Sequence, residues 1–275
     1  MRLVTYRTGD GTRAGRLDGD RVVELMDADV GALLRRGEAG LADARAAGGE
    51  GRPLANLDLA PVVTDPAKII CVGRNYMAHI KETGSEQPRF PTLFNKFRRS
   101  LIGARDPILL PKVSEQVDGE VELVVVIGSE ARHVSGAAAE SAIFGYTVMN
   151  EVSVRDWQQR TQQWMQGKAF ERSSPLGPAV VSRDEVDGNN LRLWTEVDGQ
   201  LMQDSNTSDL LFKPVDLVAY CSQFITLEPG DVIATGTPSG VAMARTPQPW
   251  LREGQTVRCG VDGIGELVNT CVRET

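Results

Sequence analysis

A mostly β chain of the α+β class is predicted by three observations. The sequence breaks into many short runs rich in Val, Ile and Leu, each bounded by Gly, Pro, Asn or Asp. Its helical patterns are few and short. Strand-like and helical runs do not alternate regularly, so a β core with peripheral helices is expected. The 275 residues, 41% hydrophobic and 24% charged, can bury a full core without disulfide staples.

The elements follow in order. Met1–Arg7 and Gly15–Leu25 read as short strands, with turns at Gly9-Asp10-Gly11 and Asp18-Gly19-Asp20. Asp29–Arg36 and Leu41–Ala47 read as short helices interrupted by Gly37 and Gly40, and residues 48–53 as a surface loop. Pro61 and Pro66 bracket a connection, which predicts a small N-terminal domain over 1–65 and a catalytic domain over 66–275. Lys68–Gly73 is a strand, and Asn75–Thr83 a short helix stopped by Gly84. Ile108–Leu110, Glu120–Ile127 and Gly145–Asn150 are strands, and Asp156–Met165 is a Gln-rich helix ended by Gly167. Val197-Asp198-Gly199-Gln200 is a hairpin turn. Val215–Phe224 is helical, Glu228–Asp231 turns into the strand Val232–Thr235, and Thr256–Arg273 forms two strands around Asp262-Gly263.

Several functions are excluded. Lys+Arg number 30 against 37 Asp+Glu, a net charge of −7, which argues against a nucleic-acid partner. The longest strongly apolar stretch, Leu123–Ile127, is far short of the roughly 20 residues of a membrane helix, so no membrane association is expected. The opening MRLVTYRTGDGTRAGR lacks the apolar block of a secretion signal, and the four cysteines form no C-x-x-C pair; both predict a reducing cytoplasm. Two histidines, His79 and His133, are too few for a three-His metal site, and no H-E-x-x-H is present. Phosphate-loop, serine-elbow and dinucleotide-binding spacings are also missing. Acid–base and metal chemistry on oxygen-rich substrates remains.

Glu120 and Glu122 alternate with Val121 on a strand, so their side chains share a face, about 7 Å apart at Cα. Buried, they would repel and call for a cation, with Mg²⁺, Mn²⁺ or Ca²⁺ the simplest; on an edge strand they would simply face water. Glu151 stands at the end of the next strand. Arg155 and Gln158, three residues apart, share a helix face. Arg155 could equally be an ordinary surface ion-pair residue. Lys168 is one of only six lysines against 24 arginines, and it lies in an apolar segment. His79 and Glu82 form an i, i+3 pair that suits a general base acting on water, or an exposed ion pair on a surface helix. In Ala234-Thr235-Gly236-Thr237-Pro238-Ser239-Gly240, glycine permits close backbone approach and a threonine hydroxyl can meet an oxyanion.

From Lys68 to the C-terminus the chain resembles the fumarylacetoacetate hydrolase family. The matching segments are KIICVGRNYMAH (68–79), VDGEVELVVVIG (117–128), GYTVMNEVSVRDWQ (145–158), GKAFE (167–171), PLGP (175–178), LEPGDVIATGTPSGV (227–241) and GIGELVN (263–269). The resemblance implies a mixed β-sandwich roll with a small N-terminal α+β domain, assembled as a homodimer. It implies one Mg²⁺ or Mn²⁺ held by Glu120, Glu122 and Glu151. It further implies that Lys168, Arg155, Gln158, Thr237 and Gly236 bind or polarise substrate oxygens, and that His79 and Glu82 form a dyad on a mobile lid. Three departures stand out: Glu151 where members usually have Asp, Gly119 where many have Tyr, and Ala169 in place of Ser in a K-S-F-D pattern. The activity implied is metal-dependent C–C hydrolysis of a small 2,4-dioxo acid of the acylpyruvate type, by water activated at the dyad. Isomerisation or decarboxylation of a related 2-oxo diacid such as oxaloacetate is the alternative, and a catalytically weak metal-binding homologue a further one.

Overall fold

In the computed structural model, which describes residues 1–275, the chain opens as a meander of β1 (Arg2–Thr8), β2 (Gly11–Asp18) and β3 (Arg21–Glu24). α1 (Val30–Arg35) starts at Asp29, whose side chain accepts the Ala32 N–H. α2 (Glu38–Ala46) runs through Gly40 instead of starting after it. A Cβ there would lie 2.4 Å from Leu33 O, so this glycine serves the close packing of the two helices and is no breaker. A two-residue β4 (Arg52–Pro53) returns to β3.

The rest of the chain is β5 (Ile69–Gly73), α3 (Met77–Glu82), β6 (Thr92–Asn95), β7 (Leu101–Ile102), β8 (Ile108–Leu110), β9 (Val117–Asp118), β10 (Val121–Ile127), α4 (Gly136–Ala142), β11 (Ile143–Asn150) and β12 (Ser153–Val154). It continues through α5 (Arg155–Gln158), α6 (Met165–Lys168), β13 (Ser174–Ser182), β14 (Arg192–Val197), β15 (Gln200–Asn206), α7 (Pro214–Ser222), β16 (Val232–Ala234), β17 (Thr256–Val261) and β18 (Gly265–Arg273). The expected Asp156–Met165 helix is therefore two separate turns. Gly167 lies inside the second of them, because a Cβ there would come 2.4 Å from the Gln158 amide nitrogen where α6 presses on α5.

The larger sheet runs β4-β3-β2-β1-β13-β11-β10-β16-β5-β6, and the smaller β15-β14-β17-β18-β8. Strands 1 and 13 pair antiparallel through Leu3 and Val180, so the change of sequence texture near residue 65 is not a break in the sheet. Between β11 and β16, β10 is buried along its whole length. Its odd face, Val121, Leu123, Val125 and Ile127, joins a core with Leu193, Val257 and Leu267 of the smaller sheet. Its even face, Val124 and Val126, joins a second core with Leu33 and Leu34 of α1. Each such Val or Leu contributes about 1.5–3 kcal/mol relative to exposure. Both cores grip this strand, and that holds the glutamates at its start rigidly.

Candidate active site

Glu120, Glu122 and Glu151 meet where β10 begins and β11 ends. Glu151 N donates to Glu120 O at 2.8 Å, and Asn150 Oδ1 accepts the Glu120 N–H at 2.9 Å, which clasps the two segments together. A Cβ at Gly119 would come 3.3 Å from Asn150 Oδ1, tighter than ordinary contact, so glycine suits this clasp. One carboxylate oxygen from each of the three glutamates lies within 4.8 Å of the others. All three side chains are buried, which settles the edge-strand alternative against water.

The cations of the site are already engaged. Lys168 Nζ donates to Glu120 Oε2 and Glu151 Oε2, both at 2.8 Å. Arg155 meets Asp118 Oδ2 at 2.7 Å and Glu120 Oε1 at 2.5 Å, and it is 3% exposed, so it is not a surface ion-pair residue. Its NH1 also donates to Gln158 Oε1 at 2.9 Å, which leaves the Gln158 amide N–H groups for the cleft. Four buried carboxylates thus face two directly paired cations. Burial alone would raise the Glu120 pKa, but Arg155 and Lys168 outweigh it and hold that carboxyl well below the usual range. Glu122 goes the other way: burial first, then the charges of Glu151 and Glu120, push it well above the usual range. Its carboxylate accepts the Gly236 N–H at 2.8 Å. Burial works against the Lys168 ammonium, yet Glu120 and Glu151 raise its pKa above the usual range.

A divalent cation fits these residues. Glu151 Oε1 is buried with no hydrogen-bond partner, Glu122 is repelled by its neighbours, and the donor set is all oxygen, as hard cations require. Glu120, Glu122 and Glu151 would hold it.

Above the carboxylates, His79 Nδ1 lies 2.9 Å from Glu82 Oε2, and Glu82 Oε1 accepts the Gly240 N–H at 2.9 Å. Glu82 thereby ties α3 to the body of the protein and fixes one ring nitrogen of His79. His79 is 9% exposed while Glu82 reaches the surface, so the pair spans the rim of the cleft with its imidazole on the inner side. A cleft of about 360 Å³ is lined by His79, Glu120, Glu122, Glu151, Arg155, Gln158, Lys168 and Thr237 together. Glu82 and Gly236 stand behind this lining. Thr237 Oγ1 donates to Val121 O at 3.0 Å and accepts from Gln203 Nε2 at 2.8 Å, so its proton is committed to the protein.

Sequence reasoning passed over two supporting groups. Asp118 shares the even parity of Glu120 and Glu122, and extending the period-two count by one step would have found it. Lys96, 3% exposed, donates from Nζ to Val152 O at 3.2 Å and to Lys168 O, joining the backbones beside Glu151 and Lys168. A lone lysine in the apolar run LFNKF was its signal.

The chain is similar to known proteins along nearly its whole length. Residues 68–272 match the family model described as "Fumarylacetoacetate (FAA) hydrolase C-terminal". The chain is 44% identical over 291 residues to human "Oxaloacetate tautomerase FAHD2A, mitochondrial", spanning 99% of this chain and 92% of that protein. Among solved structures it is similar to 5-carboxymethyl-2-hydroxymuconate delta-isomerase from Mycobacterium smegmatis, at 36% identity and TM-score 0.82 over all of both chains. It is also similar to maleylpyruvate hydrolase from Sphingobium sp. SYK-6 in complex with manganese(II) ion and pyruvate, at 29% identity and TM-score 0.81, again over all of both chains. The chain belongs to the fumarylacetoacetate hydrolase family.

Proposed function

We propose that this family member is a keto–enol isomerase of a small 2-oxo diacid of the oxaloacetate type, acting at a divalent-metal site. The observation that carries this reading is the 44% identity, along 99% of the chain, to a protein named oxaloacetate tautomerase. It favours isomerisation over the acylpyruvate hydrolysis expected from the motifs. The likeness to a delta-isomerase supports the same class of proton transfer.

A divalent cation, when bound, polarises a 2-oxo carboxylate and so makes the neighbouring C–H acidic. The chain's own groups do the rest. In the keto-to-enol direction a proton leaves C3, one arrives at the 2-oxygen, and no bond between heavy atoms breaks. With Nδ1 held by Glu82, His79 presents Nε2 as the atom that takes the C3 proton. Lys168 Nζ and the Gln158 amide supply hydrogen-bond donors where charge gathers on oxygen. Arg155 acts through Gln158, Glu120 and Asp118 and positions them. The burial of the carboxylates strengthens their electrostatic interactions at the floor of the cleft.

A second reading is C–C hydrolysis, favoured by the intact His79–Glu82 pair, which suits activation of water, and by the likeness to maleylpyruvate hydrolase. The test supplies enol oxaloacetate and an acylpyruvate with Mg²⁺ or Mn²⁺, following enol absorbance and pyruvate together. Faster enol loss without pyruvate supports the isomerase. Pyruvate from oxaloacetate above the metal-only rate means decarboxylation, and pyruvate plus an acid from the acylpyruvate means hydrolysis. His79→Gln should slow isomerisation by about 10²–10⁴-fold. Free cysteines (all four buried) support a reducing compartment for this chemistry, and a homodimer, testable by light scattering, is part of the same reading.

A further inference from the structure

Three arginine or lysine side chains line the cleft: Arg74, Arg155 and Lys168. The last two are spent on Asp118, Glu120 and Glu151. Arg74 makes no ion pair or hydrogen bond with its side chain. Directly after β5, its backbone has φ +55°, in the left-handed region that residues other than glycine rarely adopt. Its guanidinium lies over the Trp164 ring, 5.2 Å from the centroid. Trp164 is itself fixed: it meets Phe94 edge-on, with centroids 5.7 Å apart, and a Cβ at Gly73 would lie 2.2 Å from its ring. A glycine, a strained backbone and a seated indole therefore combine to hold one unspent guanidinium at the wall of the cleft.

We propose that Arg74, backed by Trp164, is the subsite for the distal carboxylate of a dicarboxylate substrate. The assignment rests on the 2-oxo acid reading above for the substrate's other end. A guanidinium stacked on an aromatic face keeps its in-plane N–H groups free, and their fork matches a carboxylate bidentately. Glu120, Glu122 and Glu151, which line the same cleft, repel a second negative group. Arg74 is the lining cation with charge left to meet it, so it selects diacids over monoacids.

The test is calorimetric titration of the Mn²⁺-loaded protein with 2-oxoglutarate and with 2-oxopentanoate. These acids have equal length and differ in the terminal carboxylate. The wild type should prefer the diacid, and Arg74→Gln should cut that preference by about tenfold to a hundredfold, the range for hydrogen bonds to a charged group. Arg74→Lys keeps the charge but loses the fork, should give an intermediate preference, and carries the test if the glutamine variant does not fold. An equal preference in wild type and variant, or none in the wild type, would overturn the subsite. Because the ratio is read without turnover, a protein that binds diacids through Arg74 yet fails to interconvert enol and keto forms overturns only the reaction. Failure of both acids to bind would overturn both.

Discussion

The N-terminal meander and the cleft at the start of β10 use the same chemical pair in opposite surroundings. Arg16 and Asp18 meet at 2.7 Å with side chains 18% and 51% exposed. Arg155 and Asp118 meet at the same 2.7 Å, each 3% exposed. In the first case water screens both charges whether or not they touch, and such pairs are worth about 0–1 kcal/mol. In the second the protein has removed the water, and every charge depends on its neighbours. Bond length is thus a poor guide to importance. Burial and charge balance separate a decorative ion pair from a functional cluster, and only the cleft holds more buried carboxylate than its paired cations can answer.

The comparison can be broken most forcefully at Arg155. Arg155→Met leaves Asp118 buried without its cation and Glu120 with Lys168 alone, and should lower stability by about 3–5 kcal/mol in urea denaturation. A loss no larger than that of a surface pair would erase the distinction. The next effect is a pH dependence. The folded-state pKa of Glu122 is raised, so its contribution to stability is present below the unfolded pKa and is lost as pH rises through the raised value. The metal-free protein should therefore lose Tm from the ordinary carboxylate range toward neutral pH, and Glu122→Gln should remove that fall. Glu120 has the opposite sign, but its lowered pKa places its loss on the acid side of the same range, so the windows do not overlap. The smallest effect belongs to the exposed ion pairs of the helices that follow the meander. Arg36 bonds Asp43 and Asp27 with a side chain 39% exposed, and Arg36→Ala should cost no more than about 1 kcal/mol.

Much of this contrast was legible in the sequence, because its signals are local. Strand parity places Glu120 and Glu122 on one face. The spacing of Arg155 and Gln158 places them on one helical turn, and Asp198-Gly199 marks the β14–β15 hairpin. What escaped depends on contacts between distant segments. Nothing near Leu3 reveals that it pairs with Val180. Gly40 and Gly167 look like helix breakers from sequence, yet each is a glycine because another segment's backbone passes within 2.4 Å of where its Cβ would be. Arg74 and Trp164 lie ninety residues apart, and only the folded chain brings one over the other. Glu151 could be named as a candidate, but its orphaned oxygen becomes apparent only once Lys168 has taken the other.

The most direct test of the central claim is a Mn²⁺ titration of the chelator-treated protein, wild type against Glu122→Gln, followed by calorimetry. If the uncompensated carboxylates form a divalent-cation site, the wild type binds one Mn²⁺ per chain. The variant should bind on the order of a hundredfold more weakly or worse, since groups that merely orient metal ligands already account for about 10–100-fold. Equal affinity in the two proteins, or no binding to either, would contradict the claim.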